Sequence, residues 1–530
     1  MQLRDEDVLV LGLGQSGLAM ARWCASQGAR VTVADTRQTP PRRAALQTEL
    51  PDAYFVSGPF TSALLDQAPF AAVFRSPGLL PVDIAPVLDA ATARGLWTGG
   101  ELDLFAHALA GLRETQAYAP VVLAITGTNG KTTVTTLAGQ LVAAAGKSVA
   151  VAGNIGPSLL DTLAVKQAAG ALPAVWVLEL SSFQLDQVQG FEPTAAAVLN
   201  ISQDHLDWHG DMQAYAHAKA RIFGLQARML LNREDPLVMQ MLSSATLVSH
   251  QENLALKGPG VVRHEAPEAQ RIARIKTQKP ASRPYTTFGG DMPQRPGDFG
   301  IETVNGMAWL VRALEADETH KRRKDTQELY IQRLMPADAL RIRGRHNAVN
   351  ALAALALASA FQLSLAPMLY ALRDYRGEPH RVQPVAVVAG VEYFDDSKGT
   401  NVGATVAALR GLGAERHVTV ILGGEGKGQD FSPLSVPVAR YARAVVLIGR
   451  DASLIRAALQ DTGVALLDAA DLPQAVRMAA ERSHVGDAVL LSPACASFDM
   501  FDNYEHRARV FCDAVQTLAD DLGALVEGSA

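Results

Sequence analysis

The residues best suited to chemistry stand in Thr126-Gly127-Thr128-Asn129-Gly130-Lys131-Thr132-Thr133, between the apolar run 121–125 and a helical pattern reaching about Ala145. Gly127 and Gly130 let backbone N–H groups face an anion, Lys131 brings an ammonium to phosphate charge, and the Thr132 hydroxyl suits Mg²⁺. Only two residues separate the glycines, where an ordinary phosphate loop has four. The physical parts are kept on a shorter loop, and the strand–loop–helix setting favours phosphate over a plain glycine turn.

A second glycine loop, Gly12-Leu-Gly-Gln-Ser-Gly17, would set N–H groups and a helix N-terminus at a pyrophosphate. Asp35, at the end of the next apolar run, could accept hydrogen bonds from a ribose or a base edge. A nicotinamide dinucleotide and a UDP-sugar offer this loop the same diphosphate. Glu179 lies in the apolar run Val175-Trp-Val-Leu-Glu-Leu180. If buried it needs a hydrogen-bond or metal partner, which Mg²⁺ on ATP would supply. Asp204-His205 follows another strand, where a lone histidine is more often structural than a ligand. By residue type alone Lys219 reads as an ordinary solvated lysine. Towards the C-terminus, Asp395-Asp396-Ser397-Lys398-Gly399-Thr400-Asn401 in a loop leading into a helix, Gly423-Gly-Glu-Gly-Lys427 and Ser492-Pro-Ala-Cys-Ala-Ser497 suggest a further ligand with an anionic group, held by Lys427 and hydroxyls.

The elements that must position these groups alternate strand and helix. Residues 8–11, the glycine loop, a helix to about Gln27 and the strand Ala29–Ala34 make a β-α-β unit. Its domain is expected at 1–115, with a loop-like linker over 110–120. The second unit, 116–377, holds strands near 121–125, 148–152, 174–180 and 195–201, whose C-terminal ends all carry polar residues, the pattern of a ligand crevice in an open α/β sheet. Between about 250 and 340 Pro, Arg, Lys and Gly rise, with Lys321-Arg-Arg-Lys324. This predicts a partly mobile surface insertion with a few strands, such as Ile301 to Val304 and Met307 to Val311. The third unit, 378–530, follows a buried alanine-rich helix and again alternates strand and helix. The fold class is therefore α/β in three domains: Rossmann-like, central phosphate-loop and C-terminal Rossmann-like.

At 530 residues, 48% hydrophobic and 19% charged, the chain has the composition of a folded globular protein. Its net charge of −6 gives no global basic field for nucleic acid or an anionic membrane. Three scattered cysteines fit a reducing compartment, and an acidic N-terminus argues against a secretory leader. A cytoplasmic location, no nucleic-acid partner and no membrane insertion are expected.

Together the motifs resemble the Mur ligase family over nearly the whole chain. They are Gly127–Thr133, Gly153-Asn-Ile-Gly156, Glu179-Leu-Ser-Ser-Phe-Gln184, Asn200-Ile-Ser-Gln-Asp-His205, Gly344-Arg-His-Asn347, His380-Arg381, Asp396-Ser-Lys-Gly-Thr-Asn401 and Ser492-Pro-Ala-Cys-Ala-Ser497. The last two are most similar to the member that adds D-glutamate. The resemblance implies UDP-N-acetylmuramoyl-L-alanine and D-glutamate as substrates, joined at the expense of ATP through an acyl phosphate in peptidoglycan precursor synthesis by a monomer. It implies UDP binding by Gln15, Ser16, Asp35 and Thr36, with Gly78 near the diphosphate, and Asn154, Ser181 and Gln184 on the muramoyl side. ATP would meet Gly127, Thr128, Asn129, Gly130, Lys131, Thr132 and Thr133, with Asn347, Arg381, Asp396 and Lys398 reaching it from the hinge and third unit. Two Mg²⁺ ions, with Mn²⁺ as a substitute, are implied at Thr132 and Glu179, and at His205 and a carbamylated Lys219. Lys131, His205 and Lys219 are thus the implied catalytic residues. Thr400, Lys427, Ser497 and Tyr504 would hold D-glutamate, although the family more usually has Phe at the last position. Closure of the third unit over the second is expected before amide formation.

Three rival readings stand beside this one. Another amide ligase, such as folylpolyglutamate synthase or the one adding the third peptide residue, shares the mechanism. An NAD-dependent dehydrogenase explains Gly12–Gly17 alone. A nucleic-acid-binding protein would use the basic runs near 321–324.

Overall fold

The computed structural model describes residues 3–242, 283–316, 329–361, 363–414 and 416–523. Three sheets carry the chain. The first runs Tyr54–Ser57, Arg30–Asp35, Asp7–Leu11, Phe70–Arg75 and Trp97–Gly99, all parallel. Chain order reverses on either side of Asp7–Leu11, so the loops after that strand and after Phe70–Arg75 open at a topological switch point, where open α/β sheets bind ligands. Gly17 begins its helix packed on this loop: a Cβ there would stand 1.9 Å from the Gly12 carbonyl oxygen.

The central sheet has nine strands. Val121–Thr126 lies inside it, flanked by Val175–Glu179 and Ala195–Val198, with Val149–Gly153 at one edge. These strands are nearly continuous apolar runs because both faces are covered. Their polar residues gather at the C-terminal ends, which parallel pairing brings to one edge of the sheet.

The expected surface insertion is corrected in its described part. Tyr285–Phe288 pairs parallel with Arg228–Asn232, and Phe299–Val304, Met307–Glu315 and Leu329–Pro336 continue the same sheet. Phe288, Phe299, Leu310 and Met335 pack into the core under the buried helix Arg345–Ala358. The two strands expected at 301–304 and 307–311 are present; the Pro- and Arg-rich composition hid that they extend the central sheet. Lys279-Pro280 and the run 321–324 lie outside the described residues.

The expected linker over 110–120 is also corrected. The helix Glu101–Gln116 runs through it to Ala117, whose φ of 53° ends the helix. Leu102, Leu104, Phe105 and Leu112 bury one stripe of that helix, and Gly111 does not break it. One hydrophobic cluster runs from Val8, Val10 and Phe105 of the first unit to Ala124, Trp176 and Leu178 of the second, so these two units share a core.

The third sheet runs Gln383–Val388, Val391–Asp395, Ala488–Leu491, Val418–Gly423, Ala442–Ile448 and Ala465–Asp468. Only its first pair is antiparallel. Asp395 closes a strand, so the polar loop expected over 395–401 begins at Asp396. Among the described residues no helix is long and apolar enough to cross a membrane.

Candidate active site

The phosphate loop leaves the C-terminal end of Val121–Thr126 and becomes the helix Lys131–Ala144 at Gly130, whose φ is +82°. A Cβ on Gly130 would lie 2.6 Å from Asn350 Oδ1, so space and backbone both require glycine. Asn200 clamps the loop from the neighbouring strand end: it accepts from Asn129 N at 2.8 Å and donates to Asn129 O at 3.0 Å. Lys131 Nζ folds onto the loop itself, donating to Gly127 O at 2.9 Å and Thr128 O at 2.8 Å. Burial lowers the Lys131 pKa, a penalty that a bound polyphosphate would offset.

Glu179 ends the strand beside the loop and is 1% exposed, so the condition for needing a partner is met. Its Oε1 accepts from Asn154 Nδ2 at 2.8 Å, while Oε2 is buried with no partner. An unpaired buried carboxylate oxygen costs several kcal/mol, on the order expected for a position that a cation completes.

Lys219 departs most from its residue-type expectation. It sits on the helix Met212–Ala220, 1% exposed, with Nζ donating to Gly127 O at 2.9 Å and Thr126 Oγ1 at 3.3 Å. Two lysine amines therefore converge on the Gly127 carbonyl. Burial first, and Lys131 second, push the Lys219 pKa well below its ordinary value. A neutral amine is the form that reacts with CO₂, and the resulting carbamate is an oxygen ligand suited to Mg²⁺.

His205 follows Asp204 with a left-handed φ of 55°, its N–H donating to Asp204 Oδ1 at 3.0 Å. Burial lowers its pKa against the pull of Asp204, and Lys131, Lys219 and Lys427 lower it further. His205, both central lysines and a lysine of the third unit thus share one electrostatic neighbourhood. Among the described residues no three His, Cys, Asp or Glu side chains converge as an all-protein metal cage. The donors present that fit Mg²⁺ are Glu179 with its orphaned oxygen, the Thr132 hydroxyl and His205.

The third unit reaches across to this loop. Arg381 Nη2 donates to Thr132 Oγ1 at 2.8 Å. A cleft of about 700 Å³ between the two units is lined by Asn129, Gly130, Thr133, Asn347, Arg381 and Asp396, among others. Asp396 is 6% exposed, accepts from Ser492 Oγ at 2.6 Å and from Val382 N at 3.3 Å, and is pushed up to about 7 by burial. Lys398 Nζ stands 5.0 Å from the Tyr504 ring centre, and burial lowers its pKa.

Backbone bonds stitch the three polar loops of this unit together. Ala494 N donates to Gly399 O, Gly423 N to Pro493 O, and Glu425 and Ala496 pair in both directions. Thr400, Lys427, Ser497 and Tyr504 are brought onto this edge. Lys427 Nζ lies 5.9 Å from the Phe498 ring centre, Ser497 is 3% exposed, and burial pushes the Tyr504 phenol up to about 12.

In the first unit a cavity of about 750 Å³ is lined by Gln15, Ser16, Asp35, Thr36 and Gly78. Asp35 Oδ1 accepts from Arg37 N at 3.0 Å and Nε at 2.8 Å, and its Oδ2 from Leu13 N and Arg37 Nη2 at 2.7 and 2.8 Å. These four bonds brace the loop, and Arg37 lines the cavity beside Asp35. A second cavity of about 790 Å³ joins the first unit to the second, lined by Gln15, Ser16, Glu101, Asn154 and Gln184. Ser181 and Gln184 also form a capping box for the short helix Ser182–Leu185.

Sequence reasoning missed Arg37, Glu101, Asn350 and Asn401. Arg37 stands two residues beyond Asp35, and Asn350 one helical turn beyond Asn347, so spacing could have found both. Glu101, 4% exposed and accepting from Leu160 N at 3.2 Å, is placed by tertiary packing alone.

A phosphate loop with a buried carboxylate at its edge, a diphosphate-type loop and a separate polar domain define an ATP-using enzyme with a second, tethered substrate. Three family models match in order: the Mur ligase MurD-like N-terminal domain over 6–99, the Mur ligase middle domain over 125–266, and the Mur ligase glutamate ligase domain over 380–495. The UDP-N-acetylmuramoylalanine–D-glutamate ligase of Albidiferax ferrireducens is 65% identical over 529 residues, covering 100% of this chain and 99% of the relative. The protein of the same name from Ralstonia nicotianae is 54% identical over 532 residues, covering 98% of each. Among solved structures, MurF from Acinetobacter baumannii matches in fold with a TM-score of 0.54 at 17% identity, over 96% of this chain and 91% of that one. The chain belongs to the Mur ligase family.

Proposed function

We propose that the protein ligates D-glutamate to UDP-N-acetylmuramoyl-L-alanine with cleavage of ATP to ADP, in peptidoglycan precursor synthesis. The observation that carries the ATP-dependent chemistry is the convergence of Lys131, Lys219, the orphaned Glu179 oxygen and Arg381 on one phosphate loop. The relatives' names carry the choice of substrates.

The precursor lies along the two joined cavities, its diphosphate at Gly12–Gly17 and Gly78 and its muramoyl end towards Asn154, Ser181 and Gln184. Its alanine carboxylate then faces the phosphate loop. Lys131 turns from its carbonyl partners to the transferring phosphate and stabilises charge there, forming the acyl phosphate and ADP. Arg381 moves with it from Thr132 to the nucleotide, alongside Asn347, Asp396 and Lys398. Thr132 and Glu179 would hold one Mg²⁺, and His205 and a carbamylated Lys219 a second. These ions, when bound, neutralise phosphate charge. D-Glutamate sits on Thr400, Lys427, Ser497 and Tyr504, from which its amine displaces phosphate at the acyl carbon. Seating the third unit on the cleft excludes water from that intermediate.

This reading divides the chain at about 115 and 377, and places the enzyme in the cytoplasm acting as a monomer. Mass analysis of the product after incubation with ATP, Mg²⁺, precursor and either enantiomer of glutamate tests it. A product heavier by one glutamyl residue with the D form alone supports the reading; equal use of both forms, or none, refutes it.

A further inference from the structure

A constellation outside the assigned site lies where the third unit meets the phosphate loop. Asn401 precedes the helix Val402–Gly413 and caps it, Oδ1 accepting from Ala404 N at 2.9 Å. Capping needs only that acceptor, which aspartate would supply as well. The rest of this 5%-exposed side chain is turned to the central unit. Oδ1 also accepts from Asn129 Nδ2 at 3.2 Å, while Nδ2 donates to Asn129 Oδ1 at 3.1 Å and to Asp204 Oδ2 at 3.3 Å. One amide therefore touches both the phosphate loop and the residue before His205. The approach is close: a Cβ on Gly403 would come within 2.8 Å of Ser202 Oγ and 3.1 Å of Asn129 Nδ2.

We propose that Asn401 is a positioning residue that seats the third unit on the phosphate and His205 loops for the amide-forming step. The inference rests on the ligase reading above. Acyl-phosphate formation draws on Lys131, Glu179 and Asn154 of the first two units and, from the third, on Arg381, which meets Thr132 without Asn401. Amide formation needs an amine delivered from the third unit to an acyl carbon on the second. There the amine lone pair forms the C–N bond, the C–O bond to phosphate breaks, inorganic phosphate leaves and the ammonium loses a proton. Water in the amine's place gives free acid and phosphate instead. A ~1 Å offset of the third unit costs on the order of 10²-fold in the first outcome and favours the second.

The test is Asn401→Asp, which keeps the cap but exchanges the Nδ2 donor for an anion facing Asp204. Wild-type protein should give about one ADP per amide bond. The variant should stay folded, as circular dichroism would show, and keep the KM for precursor. It should lose roughly ten- to a hundredfold in amide formation and release ADP in excess of amide. A role confined to helix capping would not move that ratio. Adding Asp204→Asn, which returns a donor across the same gap, should restore coupling. Small-angle scattering should show a larger radius of gyration for Asn401→Asp than for wild-type protein, independently of any substrate. One ADP per amide at the wild-type rate, with an unchanged envelope, would overturn the proposal. No amide from wild-type protein would instead count against the ligase reading, and the scattering comparison would then decide whether Asn401 holds the two units together.

Discussion

Replacing Asp396 by Asn should make the protein more stable at alkaline pH and less active, because this carboxylate is held in the fold against its own ionisation. Burial raises its pKa from 3.8 to about 7. A group whose folded pKa is raised contributes its stability fully below 3.8 and loses it as pH rises through 7. About three pKa units at 1.36 kcal/mol each make the ionised group a burden of about 4 kcal/mol above pH 7. The amide can still accept from Ser492, but Val382 N–H, now 3.3 Å from Asp396 Oδ1, would face a donor, at a cost of about 2 kcal/mol. The net gain of about 2 kcal/mol at pH 8 corresponds to roughly 4–8 °C in the melting of a unit of about 150 residues. Near pH 4.5 the ionisation gain has shrunk to about 1 kcal/mol, so the Asp396→Asn variant should be the less stable form there. Calorimetric unfolding of both proteins at the two pH values measures this directly. A melting difference with the same sign at both, or a less stable variant at pH 8, would refute the reasoning.

Glu179→Gln should lower ADP formation by about 10²- to 10³-fold and weaken the dependence on Mg²⁺ while leaving the melting temperature unchanged or raised, which activity titrations against Mg²⁺ and thermal melts would check. Lys219→Arg cannot form a carbamate: the carbamate carbon signal expected by NMR from wild-type protein in ¹³C-bicarbonate should be absent, and activity should fall at least tenfold. Burial holds His346 at about 4, below the 6.5 of the exposed side chain, so the unfolded chain binds its proton first as pH falls. Stability should therefore drop by about 3 kcal/mol between pH 6.5 and 4, and urea titrations of His346→Gln at pH 5 and 7.5 should show a smaller loss.

What the sequence revealed and what it concealed divide along the range of the forces involved. Gly127 to Thr133 was legible because the loop's chemistry is written in consecutive residues between two periodic segments. The glycine loop at 12–17 and the strand ends at Glu179 and Asn200 were legible for the same reason. Lys219 was not, since its depressed basicity comes from burial and from Lys131, which reach it only through the fold; there the family resemblance supplied the role. Asp35 was legible as the end of an apolar run, while the bond it accepts from Leu13 N, 22 positions away, forms only through the fold. Strands near 301–304 and 307–311 were legible as apolar runs, but their place in the central sheet was not, because the pairing of Tyr285–Phe288 with Arg228–Asn232 is made only through the fold. Asn129 and Asn401, 272 positions apart, meet only when two separate sheets are packed together.

The central claim is that the phosphate loop couples ATP cleavage to joining D-glutamate to the nucleotide precursor. Its most direct test is phosphate release from ATP and Mg²⁺ with UDP-N-acetylmuramoyl-L-alanine, compared across D-glutamate, L-glutamate and other amino acids. The account predicts sustained release only when both the precursor and D-glutamate are present, and release that ignores the amino acid, or needs no precursor, would contradict it.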